Sequence, residues 1–415
     1  MFKMRLIPVL LTGLIFLSAQ SASAIMLRRD IVERVPVERL AKNMEEKIRE
    51  SPNNAQAVLN LARLHAMAYS LRAEEVPVNM INPNVVWFGD APPLVPFRAV
   101  TGTEDSERLK AANVHLESAI NLYDKALELK PDDQLAQLGR AWLLTQTDRK
   151  ADAVAALRKV VEISWEALKD ATIGVMDERA GYLIKADADA ALRQPSVAGT
   201  IGGRSIMDEG AGYLIPLLDA EKDRDEIDIL KERAGKLSKL PVRIQFLRPV
   251  SPIAVPLRDG LKAVDIEDRN ASVTFDADGA GLKKWTWINN DAAWLVYDPK
   301  QTGIIESGLQ LFGNVTFWLF WETGYDALCA LDDNGDGRLT ENELTGLALW
   351  HDANGNGISD PGEVKPLSEY GIAALSCGFK RDPKHPDNIA VSKHGVTFVD
   401  GGTRPTFDLI LHPAE

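Results

Sequence analysis

Twelve consecutive residues constrain this chain more than any others: Asp332-Asp333-Asn334-Gly335-Asp336-Gly337-Arg338-Leu339-Thr340-Glu341-Asn342-Glu343. Oxygen-bearing side chains recur at positions 1, 3, 5 and 9 of the stretch, and a glutamate closes it at position 12. Gly337 permits a sharp turn at position 6, and Leu339 offers an apolar anchor at position 8. A hard divalent cation such as Ca2+ takes six to eight oxygens in a flexible cage. Asp332, Asn334 and Asp336 would supply side-chain oxygens, and Arg338 its backbone carbonyl. Thr340 would bind directly or through water, and Glu343 with both carboxylate oxygens. The three carboxylates in that set outweigh the charge of one divalent ion.

This is the EF-hand spacing. A second loop of the same kind starts at Asp352. Asp352, Asn354, Asn356, Gly357, Ile358, Asp360 and Glu363 fall at positions 1, 3, 5, 6, 7, 9 and 12. It departs from the pattern at position 8, where Ser359 replaces an apolar residue, and Pro361-Gly362 would hinder a helix leaving it. Only Leu344 to His351 separates the two loops, which is room for one short helix shared between them. No helix pair is then available to splay open, which favours a constitutive calcium site over a sensor. Two upstream turns are weaker echoes. Asp276-Ala277-Asp278-Gly279 lacks an acid at position 12. Asp298 to Glu306 places Lys300 at position 3, where a cation would be opposed.

Residues 250–411 resemble the calcium-binding region of secreted bacterial EF-hand and hemolysin-type proteins. The residues that carry the likeness include Val273-Thr274-Phe275-Asp276-Ala277-Asp278-Gly279, Trp287, Asp291 to Asp298, Trp350-His351-Asp352, Gly362-Glu363 and Leu367 to Ala373. The resemblance implies strands mixed with short helices and calcium loops, without catalysis. Val396 to Leu411 reads as a closing β-hairpin turning at Asp400-Gly401.

The first half is of another kind. Val37 to Glu50 and Ala55 to Ala73 carry apolar residues at helical spacing, with His65 in the second stripe. Prolines at 77, 83, 92, 93 and 96 break residues 76–103 into an ordered loop. Glu104 to Ser164 is helical again. Here Ala119, Tyr123, Ala126 and Pro131, then Ala141 and Ala153, resemble tetratricopeptide repeats, whose small residues let paired helices approach closely. Asp177 to Ile184 recurs as Asp208 to Ile215, and both copies read as helical. Asp219 to Leu240 reads as a charged helix. Six of the nine tryptophans lie beyond residue 240. The expected architecture is α+β and multidomain. Residues 1–24 form a signal peptide, 25–240 a helical tetratricopeptide-like domain with an insertion at 76–103, and 241–415 the calcium-binding domain.

The remaining features bear on compartment and partners. Met1 to Arg5 is basic, Leu6 to Leu17 is apolar but too short to span a bilayer, and Ala22-Ser23-Ala24 is a cleavage pattern. Export to the periplasm or the outside, with cleavage after Ala24, is the expectation. A net charge of −13 without a long basic run argues against nucleic acid as a partner. Cys329 and Cys377 are the only cysteines. They either pair in an oxidising compartment or stay as two buried thiols. No histidine pair at metal spacing and no G-x-S-x-G marks an enzyme. The reading is a non-enzymatic exported calcium-binding protein, its helices offering a surface to a protein partner. The alternatives are an envelope hydrolase with an unmarked acid site and a secreted adhesion or matrix module.

Overall fold

Val37, Leu40, Met44 and Ile48 recur at helical spacing and are all buried, and the helix they define is α1 (Val37–Glu50). Helix α2 (Ala55–Leu71) starts at Asn54, whose side-chain oxygen accepts the Ala57 N–H at 3.0 Å. Helix α3 (Ser106–Leu129) is capped by Asp105 and helix α4 (Gln134–Thr145) by Asp133, each accepting backbone N–H groups of the first turn. Short turns link α3, α4 and α5 (Lys150–Leu168), so consecutive helices pack as hairpins. Ala119, Tyr123, Ala126, Ala141 and Ala153 are all buried in these contacts. Tyr123 lies so close to Gly139 that a Cβ there would sit 2.6 Å from the phenol oxygen.

The computed structural model describes residues 32–79, 100–171, 205–239, 250–279 and 281–414, with the backbone of four short strands at 174–176, 183–185, 197–199 and 242–244. The expected signal peptide, most of the Pro-rich insertion and most of the first Tyr-Leu-Ile echo lie outside the described residues. The part of that first echo that is described runs in a strand, not the expected helix: Leu183 and Ile184 pair with Met176 and Val175. Its second copy is helical, in α6 (Ile206–Leu214). The same short apolar run suits either state, and the pairing partner decides. Helix α7 (Arg224–Leu237) follows. It is tied to α5 by Arg158–Glu226 and Arg233–Glu162 ion pairs of 2.6 Å each.

Ten strands and two short helices come next: β7 (Ile253–Pro256), α8 (Ala263–Ile266), β8 (Glu267–Phe275), β9 (Lys283–Ile288), β10 (Ala292–Tyr297), α9 (Gly324–Cys329), β11 (Arg338–Thr340), β12 (Leu347–Trp350), β13 (Val364–Pro366), β14 (Ile372–Ser376), β16 (Ala390–Phe398) and β17 (Thr403–Asp408), with the two-residue β15 (Lys380–Arg381) beside β16. Nine of these strands form one antiparallel sheet in the order β11-β14-β16-β17-β7-β10-β12-β13 with β15 on β16, while β8 and β9 pair separately. The earlier strands β1 (Arg34–Pro36) and β2 (Glu75–Pro77) pair with each other, and β3 to β6 (174–176, 183–185, 197–199 and 242–244) form a small sheet. The expected C-terminal hairpin is β16–β17, with Gly401 at φ 85° in its turn. The architecture is therefore helical in its first half and an antiparallel sheet in its second.

The two halves are joined through buried polar contacts. Asn60 of α2 donates to the Phe320 carbonyl at 2.8 Å and accepts from the Phe320 amide at 3.0 Å. The Arg63 guanidinium lies over the Phe320 ring, 4.1 Å from its centre, and burial lowers its pKa to about 9. The Trp318 indole donates to the Pro77 carbonyl at 2.6 Å.

Asp408, at the end of β17, is fully enclosed. Burial raises its carboxyl well above the usual range. The nearby Asp326 adds to this, while the Gly324 amide and Arg381 oppose it. A carboxyl with a raised folded-state pKa costs stability as pH climbs above its unfolded value, because the native fold then holds a proton the unfolded chain has lost. Asp408→Asn should therefore raise the urea midpoint at neutral pH, within the range of about 0.5–2 kcal/mol that stabilising substitutions commonly give. The gain should fade as pH drops to about 4. An unchanged gain from pH 4 to 7 would contradict the assignment.

Candidate metal centre

Loop one links α9 to β11, and a single 3-10 turn (Glu341–Leu344) closes it. Asp332 and Glu343 are 5% and 6% exposed. Asp332 accepts the amides of Gly335 and Gly337, both at 2.8 Å. Asn334 accepts the Asp336 amide at 2.8 Å, and Asp336 accepts the Arg338 amide at 2.9 Å. Glu343 folds back into the loop. Its Oε1 takes the Asp333 amide and its Oε2 the Thr340 amide, each at 2.8 Å. Backbone amides therefore hold the four oxygen side chains in one turn. Each Asp332 oxygen accepts a single amide and keeps a lone pair for a ligand, while Glu343 Oε1 also takes the Asn334 amide at 3.3 Å and Oε2 the Thr340 hydroxyl at 3.5 Å, bonds a bound ion would displace. Gly335 and Gly337 sit at φ 72° and 82°, where a side chain would be strained.

Loop two joins β12 to β13. The expected short helix between the loops is absent. Leu347 to Trp350 forms a strand buried on both faces between β10 and β13, and pairing with Trp294 to Tyr297 outweighs local helix propensity. Asp352, 3% exposed, accepts the Gly357 amide at 2.9 Å, the Asn356 amide at 3.1 Å and the Trp287 indole N–H at 2.8 Å. Asn354 and Asn356 each donate a side-chain N–H to Asp360, and Asn356 accepts the Ile358 amide at 2.7 Å. Glu363 accepts the Ala353 and Asp360 amides at 3.1 Å and the Trp350 indole N–H at 3.4 Å. Ser359 is no defect at position 8, because its hydroxyl accepts the Ile305 amide at 2.8 Å and fixes the loop to its neighbour.

Charge separates these loops from the first upstream turn. Among the described residues, no Lys or Arg forms an ion pair with Asp332, Asp336, Glu343, Asp352, Asp360 or Glu363. In the first upstream turn, Lys283 reaches back to Asp278 at 2.6 Å, so a protein cation neutralises it. In the second, Asp298 is taken up by the Thr302 amide and hydroxyl and the Gly303 amide at 2.9, 3.0 and 2.9 Å. Glu33 is buried against that turn. Burial, then the Asp298 carboxylate, raises its pKa, while Lys300 and Thr302 oppose.

The sequence pattern does not reveal what the loops touch. Asp333, at the non-ligating position 2, accepts from Arg39 at 2.8 Å and Asn43 at 2.9 Å, so α1 is docked on loop one. Burial raises the Asp333 pKa, but these bonds and the Arg39 charge outweigh it and hold the carboxyl below its usual range. The Cys377 amide donates to the Gly337 carbonyl, and the Cys329 carbonyl accepts the Asp332 amide. The two cysteines thus flank loop one as free thiols. Cys377 is pushed up by its contact with Cys329 and by burial. His65 meets His115 from fifty residues away at 2.7 Å, and burial followed by the His115 charge pushes it down to about 4.

Trp287 stands amid Trp294, Trp350 and Phe275, with ring centres 5.2, 5.8 and 5.5 Å away. Because Trp287 and Trp350 donate to Asp352 and Glu363, calcium titration should shift tryptophan emission. Glu363→Gln should abolish the shift, and Trp287→Phe should remove most of its amplitude while costing about 1–3 kcal/mol for the acceptor left short. Emission that ignores calcium in the wild type would count against a loop-two site.

Residues 257–412 match the family model of the SPM domain. The iron-regulated protein FrpA of Neisseria meningitidis serogroup C is 32% identical over 212 residues, covering 48% of this chain. The chain spans 19% of the length of that relative.

Proposed function

We propose that this protein is an exported, non-enzymatic calcium-binding protein whose calcium fastens the C-terminal sheet. The observation that carries the reading is the contrast between turns. Among the described residues, the buried Asp332, Glu343 and Asp352 of the two loops with complete EF-hand spacing form no ion pair, whereas Lys283 pairs with Asp278 in the incomplete turn. These carboxylates are hydrogen-bonded but not paired with a charge, and a buried charge is costly unless an opposite charge joins it. Asp332, Asn334, Asp336, Arg338, Thr340 and Glu343 would hold one ion, and Asp352, Asn354, Asn356, Ile358, Asp360 and Glu363 a second. Calcium would supply charge neutralisation and coordination, not chemistry on a substrate.

The strand between the loops supports a fastening over a switch. Loop one pairs its position 7–9 strand with β14, and loop two is fixed through Ser359 and Trp287, so neither governs a helix pair free to open. The helical hairpins, with their buried Ala119, Tyr123, Ala126, Ala141 and Ala153, support a tetratricopeptide-like partner surface. No described helix is long and apolar enough to cross a membrane. Calorimetric titration of the whole chain tests the reading. Two calcium ions should bind, one lost in Glu343→Gln and one in Glu363→Gln. Stoichiometry unchanged by either substitution would sink it.

A further inference from the structure

A second cluster of donors lies away from the loops and has a different chemistry. Glu267 at the start of β8, and His385 and Asp387 in the loop before β16, each offer one ligand atom, all within 4.8 Å of one another. His412, beyond β17, brings a second imidazole, with its Nε2 3.1 Å from Asp387 Oδ2. The His385 side chain is 2% exposed and that of Glu267 is 9% exposed. His385 Nε2 and Glu267 Oε1 face each other at 2.9 Å, yet neither makes a hydrogen bond. Two buried polar atoms that converge without hydrogen-bond direction are what a shared ligand would satisfy.

We infer that Glu267, His385 and Asp387, with His412 beside them, bind a zinc-class divalent ion. The loops offer calcium only oxygens, whereas mixed imidazole and carboxylate donors in fourfold number suit a borderline ion such as Zn2+. Arg269 is the cation that opposes this. It bonds Asp387 Oδ2 and Glu267 Oε2, the Glu267 oxygen that does not face His385, and so orients both carboxylates as an outer partner would. His385 Nδ1 accepts the Asp387 amide at a long 3.3 Å. On binding, Nε2 gives its lone pair to the ion, the ring proton sits on Nδ1, and that bond is released. The ion joins β8, the 382–388 loop and the C-terminal tail, three segments distant in sequence.

The test uses the full chain saturated with calcium, titrated with Zn2+ alone, and with Co2+ as a spectroscopic stand-in. One equivalent should bind, with the visible absorption of tetrahedral Co2+. His385→Gln and Asp387→Asn should weaken it by more than the roughly 10–100-fold that loss of an outer partner costs. His412→Gln should weaken it less. Glu343→Gln should leave it intact, which separates this site from loop one. Asp387→Asn keeps the test valid if His385→Gln fails to fold. No zinc binding in the wild type, or binding unchanged by both His385→Gln and Asp387→Asn, would overturn the assignment and leave a histidine–carboxylate ion pair only.

Discussion

Calcium-saturated protein should melt several degrees above the same protein in chelator, and Glu343→Gln should remove most of that difference. A ligand that binds only the native state stabilises by RT ln(1 + [L]/Kd), about 2.7 kcal/mol per site at a hundredfold excess over Kd. The expected stabilisation is large because of what loop one holds. The loop follows helix α9 and contains strand β11, which pairs with β14, and Asp333 carries α1 on its flank through Arg39 and Asn43. Ordering the loop therefore orders both halves. Glu343 is the informative residue, since its two oxygens take amides from Asp333 and Thr340 at opposite ends of the loop. Glutamine keeps the shape and one acceptor but turns an N–H2 toward an N–H donor and removes the charge. In chelator the variant should already lie about 1–3 kcal/mol below wild type, since buried backbone donors that Glu343 served are left facing an N–H2. In calcium the gap should widen. Identical melts for both proteins in both conditions would sink the fastening role.

Much of this was legible in the sequence, for a physical reason. The proposed calcium loops are local: Asp332 to Glu343 and Asp352 to Glu363 set their oxygens by chain spacing, and each set lies in one turn of the structure. Helices α1 and α2 follow from apolar periodicity bounded by Ser51 to Asn54, and Asp400-Gly401 announced the β16–β17 hairpin. What escaped is non-local. Leu347 to Trp350 became a strand because Trp294 to Tyr297 lies beside it, and nothing in eight residues records that neighbour. Asp333 has no ligand position in the loop spacing, and its partners Arg39 and Asn43 on α1 lie some 290 residues away. Glu267, His385, Asp387 and His412 share no spacing at all. Only Ser359, odd at position 8, carried a local hint that loop two leans on something polar.

Asn60→Ala should be the most damaging single substitution at the junction, costing roughly 3–5 kcal/mol, since each buried polar group deprived of its partner costs about 1–3 kcal/mol and a small cavity adds to it. Asn60 is 2% exposed and projects from α2 onto Phe320, giving its side-chain N–H to that residue's carbonyl and taking its amide. A carboxamide is the one short side chain that presents a donor and an acceptor in the geometry of a peptide, so it pairs with an irregular backbone segment as a strand would. An aspartate in place of the carboxamide would keep the acceptor, lose the donor and bury a charge, so Asn60→Asp should be worse than a loss of size alone. The Arg63 guanidinium over the Phe320 ring and the Trp318 bond to Pro77 sit on the same seam, and weakening Asn60 loosens their setting. Because most tryptophans lie in the second half and most helix in the first, two probes separate the halves. In wild type, helical circular dichroism and tryptophan emission should follow one urea transition. In Asn60→Ala the midpoint should fall and the two curves should part, the helical signal being lost first. Coincident curves with an unchanged midpoint would mean that the halves are coupled elsewhere.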